Sequence, residues 1–107
     1  MALPQVKPPD RITVSIDKDL EDIVPVFLNN RRKDLQTLRT ALSQHDFETI
    51  RTLGHRMRGD GGGYGFDAVS QIGATLESAA IRRNRPVIQQ QTQQLEEFLT
   101  RVHVEYR

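Results

Sequence analysis

Residues 46–65 read DFETIRTLGHRMRGDGGGYG, and the phasing of this stretch decides the fold. Asp46 followed by Thr49 opens a helix, since a short acidic side chain satisfies a free N–H of the first turn. Phe47, Ile50, Leu53 and Met57 then recur at helical spacing. At about 100° per residue, with Phe47 at ~0°, this apolar stripe centres near ~275°. His55 falls near ~80°, roughly 165° from that centre, and so points at solvent. Gly59, Gly62, Arg51 and Arg58 share its face. A helix with one apolar stripe and a polar opposite face packs on a core by one side only. Further helices must supply that core.

They are found on both sides. Upstream, Leu20, Ile23, Val24, Phe27, Leu28, Leu35, Leu38 and Leu42 follow a helical period. Asp17 is a cap, and Asp19, Glu21 and Asp22 suit a first turn. Pro25 cannot donate to a carbonyl four residues back, which predicts a kink, or a short leading helix before a main helix over 25–43. Downstream, Asp67 caps a third helix carrying Val69, Ile72, Leu76, Ala79 and Ala80. Pro86 fits the first turn of a fourth, with Ile88, Gln91, Leu95, Phe98 and Val102 on its stripe and Leu99 and Tyr106 widening it. The Gln-rich residues 89–94 fit its solvated face. Links of a few residues force antiparallel neighbours. The expected fold is all-α: an antiparallel up-and-down four-helix bundle over residues 17–107 with a short leading helix. Residues 1–16 read as an extended N-terminal arm, with Pro4, Pro8 and Pro9. Ile12, Val14 and Ile16 alternate with Thr13 and Ser15, but no second alternating segment is apparent. The arm is expected to lie extended on the bundle, with edge pairing between two copies the less favoured alternative.

Composition excludes several classes of function. At 107 residues the chain makes one domain, and 36% hydrophobic with 27% charged residues is a globular balance. Fifteen Lys+Arg against fourteen Asp+Glu leave a net charge of +1, and aromatics are 6%. Nucleic-acid binding needs a larger basic surplus and stacking platforms. The basic runs Arg31-Arg32-Lys33 and Arg82-Arg83-Asn84-Arg85 read as solvated faces or helix C-terminal charge. The absence of Cys removes disulfides, thiolate metal sites and Cys nucleophiles. No apolar run approaches a membrane span, and Met1 to Pro9 has no apolar signal region, so the expected compartment is the cytoplasm. His45 and His103 lie ten and forty-eight residues from His55, without an H-x-x-x-H pair, so no metal site is expected. Residues 63–68 match G-x-G-x-x-A formally, but no βαβ unit surrounds them, and no Walker sequence is present. No Ser-His-Asp arrangement is discernible.

All seven glycines fall between Gly54 and Gly73. An interior helical glycine costs roughly 1 kcal/mol against Ala, so the cluster needs a reason. Gly59 and Gly62 strip side chains from the surface around His55, which lets another molecule approach the imidazole closely. Arg51 and Arg58 beside it can hold an oxyanion. Together they describe an imidazole nucleophile open to a macromolecular partner. Two plainer readings stand beside this one. His55 is an ordinary surface residue, or Gly61, Gly62 and Gly63 simply end the second helix.

The run His55-Arg56-Met57-Arg58-Gly59-Asp60-Gly61-Gly62-Gly63-Tyr64-Gly65 resembles the signature of histidine-containing phosphotransfer (HPt) domains, approximately H-x-x-K-G-x-x-x-x-x-G. Val69 and Leu76-Glu77 stand where that family has an apolar position and a Leu-Glu. Phe27-Leu28, Leu38, Ala41-Leu42 and Asp46-Phe47 resemble its preceding helix and turn, so the match spans about 17–105. The resemblance implies a phosphocarrier more than an autonomous enzyme. Its partners would be response-regulator receiver domains or a hybrid sensor kinase, with neither nucleic acid nor membrane, and the chain a monomer. His55 would be the phosphoacceptor, attacking through Nε2, and Arg58 would stabilise the phosphoryl group where the family has Lys. Arg51, Gly59 and Gly62 would face the partner, and Gly65 would be a structural glycine in the bend. No cofactor is implied in the chain itself, since the Mg²⁺ of this chemistry belongs to the receiver. The alternatives are an HPt-like module that binds a receiver or kinase without carrying phosphate, and a generic helical dimerisation domain.

Overall fold

The computed structural model describes residues 10–107. In chain order it has a strand β1 (Ile12–Ile16), a 3-10 turn (Lys18–Leu20), four helices and a second strand. The helices are α1 (Val24–Ser43), α2 (Phe47–Tyr64), α3 (Asp67–Ile81) and α4 (Arg85–Arg101), and β2 is Val102–Tyr106.

The expected leading helix is a single turn. The Asp17 carboxylate accepts from the Asp19 N–H at 2.9 Å, and the turn closes at Leu20. Pro25 lies in the first turn of α1, where no N–H is required, so it starts the helix instead of kinking it. Asp46 caps α2 as expected. It accepts from the Thr49 N–H at 3.1 Å and from the Thr49 hydroxyl at 2.6 Å. These hydrogen bonds hold its carboxyl below the usual carboxylate range. The cap is therefore intact above the ordinary carboxylate pKa of about 4 and is lost as pH falls through the lower folded value.

The three links between helices share one device. His45 (φ 56°), Gly65 (φ 85°) and Arg83 (φ 54°) each adopt the left-handed conformation. The following N–H then reaches back: Asp46 to Ala41 at 2.8 Å, Phe66 to Gly61 at 2.7 Å, and Asn84 to Ala79 at 2.8 Å. This is the geometry that satisfies the last carbonyls of a helix while reversing the chain. α2 therefore runs on through Gly61, Gly62 and Gly63 and ends at Gly65. The expected Asp67 cap is corrected: Phe66 holds that position without a side-chain cap, and Asp67 is the first helical residue. Phe66 is there because it is fully buried, stacked on Phe27 at 4.7 Å and edge-on to Phe98 at 6.4 Å.

The core runs the length of the bundle through Leu38, Ile50, Met57, Val69, Leu76, Ile88 and Leu95, all fully buried. One member of the first basic run is not solvated. Arg31 is buried, with its guanidinium over the Phe27 ring at 4.9 Å. It pairs with Asp34 at 2.8 Å and Asp60 at 3.5 Å, so it joins α1 to α2.

The chain's two extended segments depart most from expectation. Of the arm expected over 1–16, residues 1–9 lie outside the described residues. Residues 12–16 do not merely lie on the bundle. They pair in parallel with β2, in the register Ile12↔Val102, Val14↔Val104 and Ile16↔Tyr106. Val102 and Tyr106 therefore leave the α4 stripe to which helical spacing assigned them. Val102, Val104 and Tyr106 alternate with His103 and Glu105, and Val102 fits both periods. Parallel strands need a long crossover, and here the whole bundle provides it. The apolar face of the ribbon packs on the core, with Ile16 at 1% exposure.

The α2–α3 contact is the most extensive of the bundle. Glycines set it: a Cβ on Gly54, Gly61 or Gly73 would lie 2.5–2.6 Å from backbone nitrogen of the facing helix. Gly54→Ala or Gly73→Ala is expected to destabilise the protein by roughly 2–3 kcal/mol through overpacking against backbone. Nothing lies within 4 Å of a Cβ on Gly63, so Gly63→Ala should instead stabilise by up to about 1 kcal/mol. Urea denaturation of the three variants checks both signs.

Candidate functional site

His55 sits on the outer face of α2, with 67% of its side chain exposed. The close approach at Gly54 and Gly73 brings α3 alongside, and Glu77 reaches across from it. The His55 Nδ1 lies 2.7 Å from Glu77 Oε2, and the Arg58 guanidinium donates to Glu77 Oε1 at 3.3 Å. One carboxylate thus holds both side chains. Glu77 itself is largely covered, with 17% of its side chain exposed. An ionised carboxylate only accepts, so Nδ1 carries the proton and donates. In the neutral imidazole this arrangement leaves the lone pair on Nε2.

Bare helix surface lies on one side of the imidazole. A Cβ on Gly59 or Gly63 would meet nothing within 4 Å, and one on Gly62 would meet only the Ser70 hydroxyl at 3.8 Å. The structure thus brings His55, Arg58, Gly59 and Gly62 to one exposed face. Ser70 donates to the Arg58 carbonyl at 2.8 Å, which ties this part of α2 to α3. Gly65 lies in the bend at the end of α2, and its left-handed φ explains the residue type. Arg51, one turn before His55, is joined to Glu48 on its own helix. The hydrogen bond and charge of Arg51 hold the Glu48 carboxyl below its usual range, and the same bond raises the Arg51 guanidinium.

The other histidines lie elsewhere. His45 is in the α1–α2 link against Arg85, and His103 is on β2. Among the described residues, no group of three or more His, Cys, Asp or Glu is arranged to hold a metal ion. Nor is any helix among them long and apolar enough to cross a membrane.

The resemblance includes Leu76-Glu77 but implies no role for the Glu77 carboxylate. Its reach across the α2–α3 contact depends on helix spacing, which Gly54 and Gly73 set. That pair of small residues, at the positions facing one another, was the signal that linear periodicity passed over.

The family model of the Hpt domain matches residues 22–105. No curated protein and no solved structure matches the chain.

The carboxylate contact makes a spectroscopic prediction. Neutral His55 should be predominantly the Nδ1–H tautomer, and Glu77→Ala should relax it toward the mixture of a free imidazole. Two-bond ¹H–¹⁵N couplings of the ring distinguish the two forms. An Nε2–H majority in the parent protein would contradict the assignment.

Proposed function

The chain belongs to the Hpt domain family, which serves histidine phosphotransfer in phosphorelay signalling, and from the site's geometry we propose that His55 is its phosphoacceptor. The observation that carries this is the exposed imidazole, held at Nδ1 by Glu77 beside the bare stripe of Gly59 and Gly62. The donor is an aspartyl phosphate of a receiver domain, and the product passes the group to a second receiver. The Nε2 lone pair attacks phosphorus, the nitrogen–phosphorus bond forms, and the bond to the aspartyl oxygen breaks. That oxygen leaves as carboxylate. The Nδ1 proton stays in place, and Glu77 balances the positive charge that develops on the ring. Glu77 so acts as a positioning residue.

Arg58 extends a guanidinium beside the same carboxylate and donates to the phosphoryl oxygens. Gly59 and Gly62 let the receiver's surface close on the helix, and Arg51 lies at the edge of that surface. Mg²⁺ belongs to the receiver's acidic site, where it neutralises phosphoryl charge. Residues 17–107, with β1 paired to their C-terminal strand, form the phosphotransfer unit, acting in the cytoplasm as a monomeric phosphocarrier. A receiver or a hybrid sensor kinase is the partner.

Incubation with a panel of phosphorylated receiver domains tests this reading. Acid-labile phosphate is expected on the parent chain and none on His55→Gln, whose thermal midpoint should be unchanged because the side chain is exposed. Phosphate on His45 or His103 would overturn the assignment. Arg58→Lys should stay active, while Arg58→Ala should lose transfer rate or phosphohistidine lifetime by about tenfold, the worth of one charged hydrogen bond.

Gly59→Gln separates docking from stability. It should leave the fold neutral or slightly more stable, since it fills open space on a helix. Transfer from the receiver should nevertheless slow. A native rate would mean that close approach at Gly59 plays no part.

A further inference from the structure

The hydroxyls of Thr37, Thr52, Thr75, Thr92 and Thr100 each donate to the carbonyl four residues back in their own helix. That is the usual destination of a helical hydroxyl. Ser70 departs from it. Its hydroxyl crosses from α3 to α2 and donates to the Arg58 carbonyl at 2.8 Å. Gly61 permits the crossing, since a Cβ there would lie 2.6 Å from the Ser70 nitrogen.

The bond falls where α2 is weakest. Residues 59–63 read Gly-Asp-Gly-Gly-Gly, and every glycine in a helix interior lowers its stability. Gly61 serves the contact with α3, while Gly59, Gly62 and Gly63 leave the surface beside His55 bare. These glycines bring no side chains that could pack and hold the turns closed. Arg58 stands at the head of the stretch. Its carbonyl is the acceptor for the Gly62 N–H in the helical ladder, so the Ser70 hydroxyl is a second donor to one oxygen. α3 thus holds Arg58 at both ends, with Ser70 at its carbonyl and Glu77, seven residues on, at its guanidinium. Gly73 between them lies so close that a Cβ would be 2.5 Å from the Arg58 nitrogen.

We propose that Ser70 is a positioning residue for phosphoryl transfer: its hydroxyl fixes the backbone of Arg58, and so the point from which the guanidinium reaches the phosphoryl group. The inference rests on the phosphotransfer reading of His55 and Arg58. To serve the transfer, the guanidinium turns from the Glu77 carboxylate to the phosphoryl oxygens. The side chain alone makes that movement when its backbone is held, and the charge then arrives where it is needed. Without the hydroxyl the glycine turns open more often, and Arg58 spends part of its time out of place.

The test compares the parent with Ser70→Ala, Ser70→Thr and Thr100→Ala, the last removing a hydroxyl-to-carbonyl bond far from the site. Amide hydrogen exchange needs no phosphate. In Ser70→Ala the amides of residues 61–64 should exchange about tenfold faster, the worth of one hydrogen bond, with α4 at the parent's rate. Ser70→Thr should restore them. Transfer is then measured from the receiver that donates fastest among a panel loaded with acetyl phosphate. Ser70→Ala should lower kcat about threefold with KM unchanged, less than the loss of Arg58 itself. Ser70→Thr and Thr100→Ala should transfer at the native rate. In the Arg58→Ala background Ser70→Ala should slow transfer no further. Native transfer by Ser70→Ala, a loss carried by KM, or the same loss in the Arg58→Ala background would overturn the proposal and leave the His55 reading standing. Failure of every receiver to label the parent would sink both.

Discussion

The distance between α2 and α3 is set by side chains that are missing. Gly54 and Gly73 face each other so closely that a Cβ on either would strike the other's carbonyl oxygen at 2.6–2.7 Å. Gly61 repeats the approach about two turns further along α2, against Ser70. Helices this close give a short glutamate the reach to span the gap. Glu77 meets the imidazole, and the Ser70 hydroxyl meets the Arg58 carbonyl. A pair of helices at ordinary separation would leave Glu77 short of Nδ1, and the tautomer of His55 would be set by solvent.

The opposite flank of α2 is held by different means. Arg31 of α1 is buried against Phe27 and pairs with Asp34 and with Asp60. The pairing is imperfect. The ε N–H of Arg31 is not aimed at the Asp34 oxygen 2.8 Å away, so it has no hydrogen-bond acceptor. Burial raises the Asp34 carboxyl, and the neighbouring Arg31 only partly opposes it. Breaking one partner of such a buried pair is more harmful than the pair's net worth, because the other charge is left without solvent. α2 is thus clamped by backbone contact on one side and by charge on the other, with its outer face left free.

Much of this was legible in the sequence. The stripe of Ile50, Leu53 and Met57 placed His55 outward, and the Asp46–Thr49 spacing located the start of α2. The phase of Gly59 and Gly62 placed them on open surface beside it. The glycines at 54, 61 and 73 were not legible as packing residues, because their partners lie on another helix and no periodicity within one helix registers them. The burial of Arg31 is not legible for a related reason. Composition marks an arginine as solvated, and only the tertiary arrangement supplies Asp60 and the Phe27 ring. The ends of the chain misled most. Val102 satisfies helical and strand spacing at once, and the strand wins because Ile12–Ile16 supplies a partner that no local pattern reveals.

That ribbon changes how the molecule must assemble. A bundle with short links is made of local contacts and folds fast on that account. The β1–β2 ladder is the least local pairing of its elements, since Ile12 meets Val102 ninety residues later. It closes the longest loop in the chain, and neither strand has a partner until the four helices have brought the two ends together. A ladder that closes only after the helices have packed acts through the unfolding rate, and leaves the speed of folding to the helices.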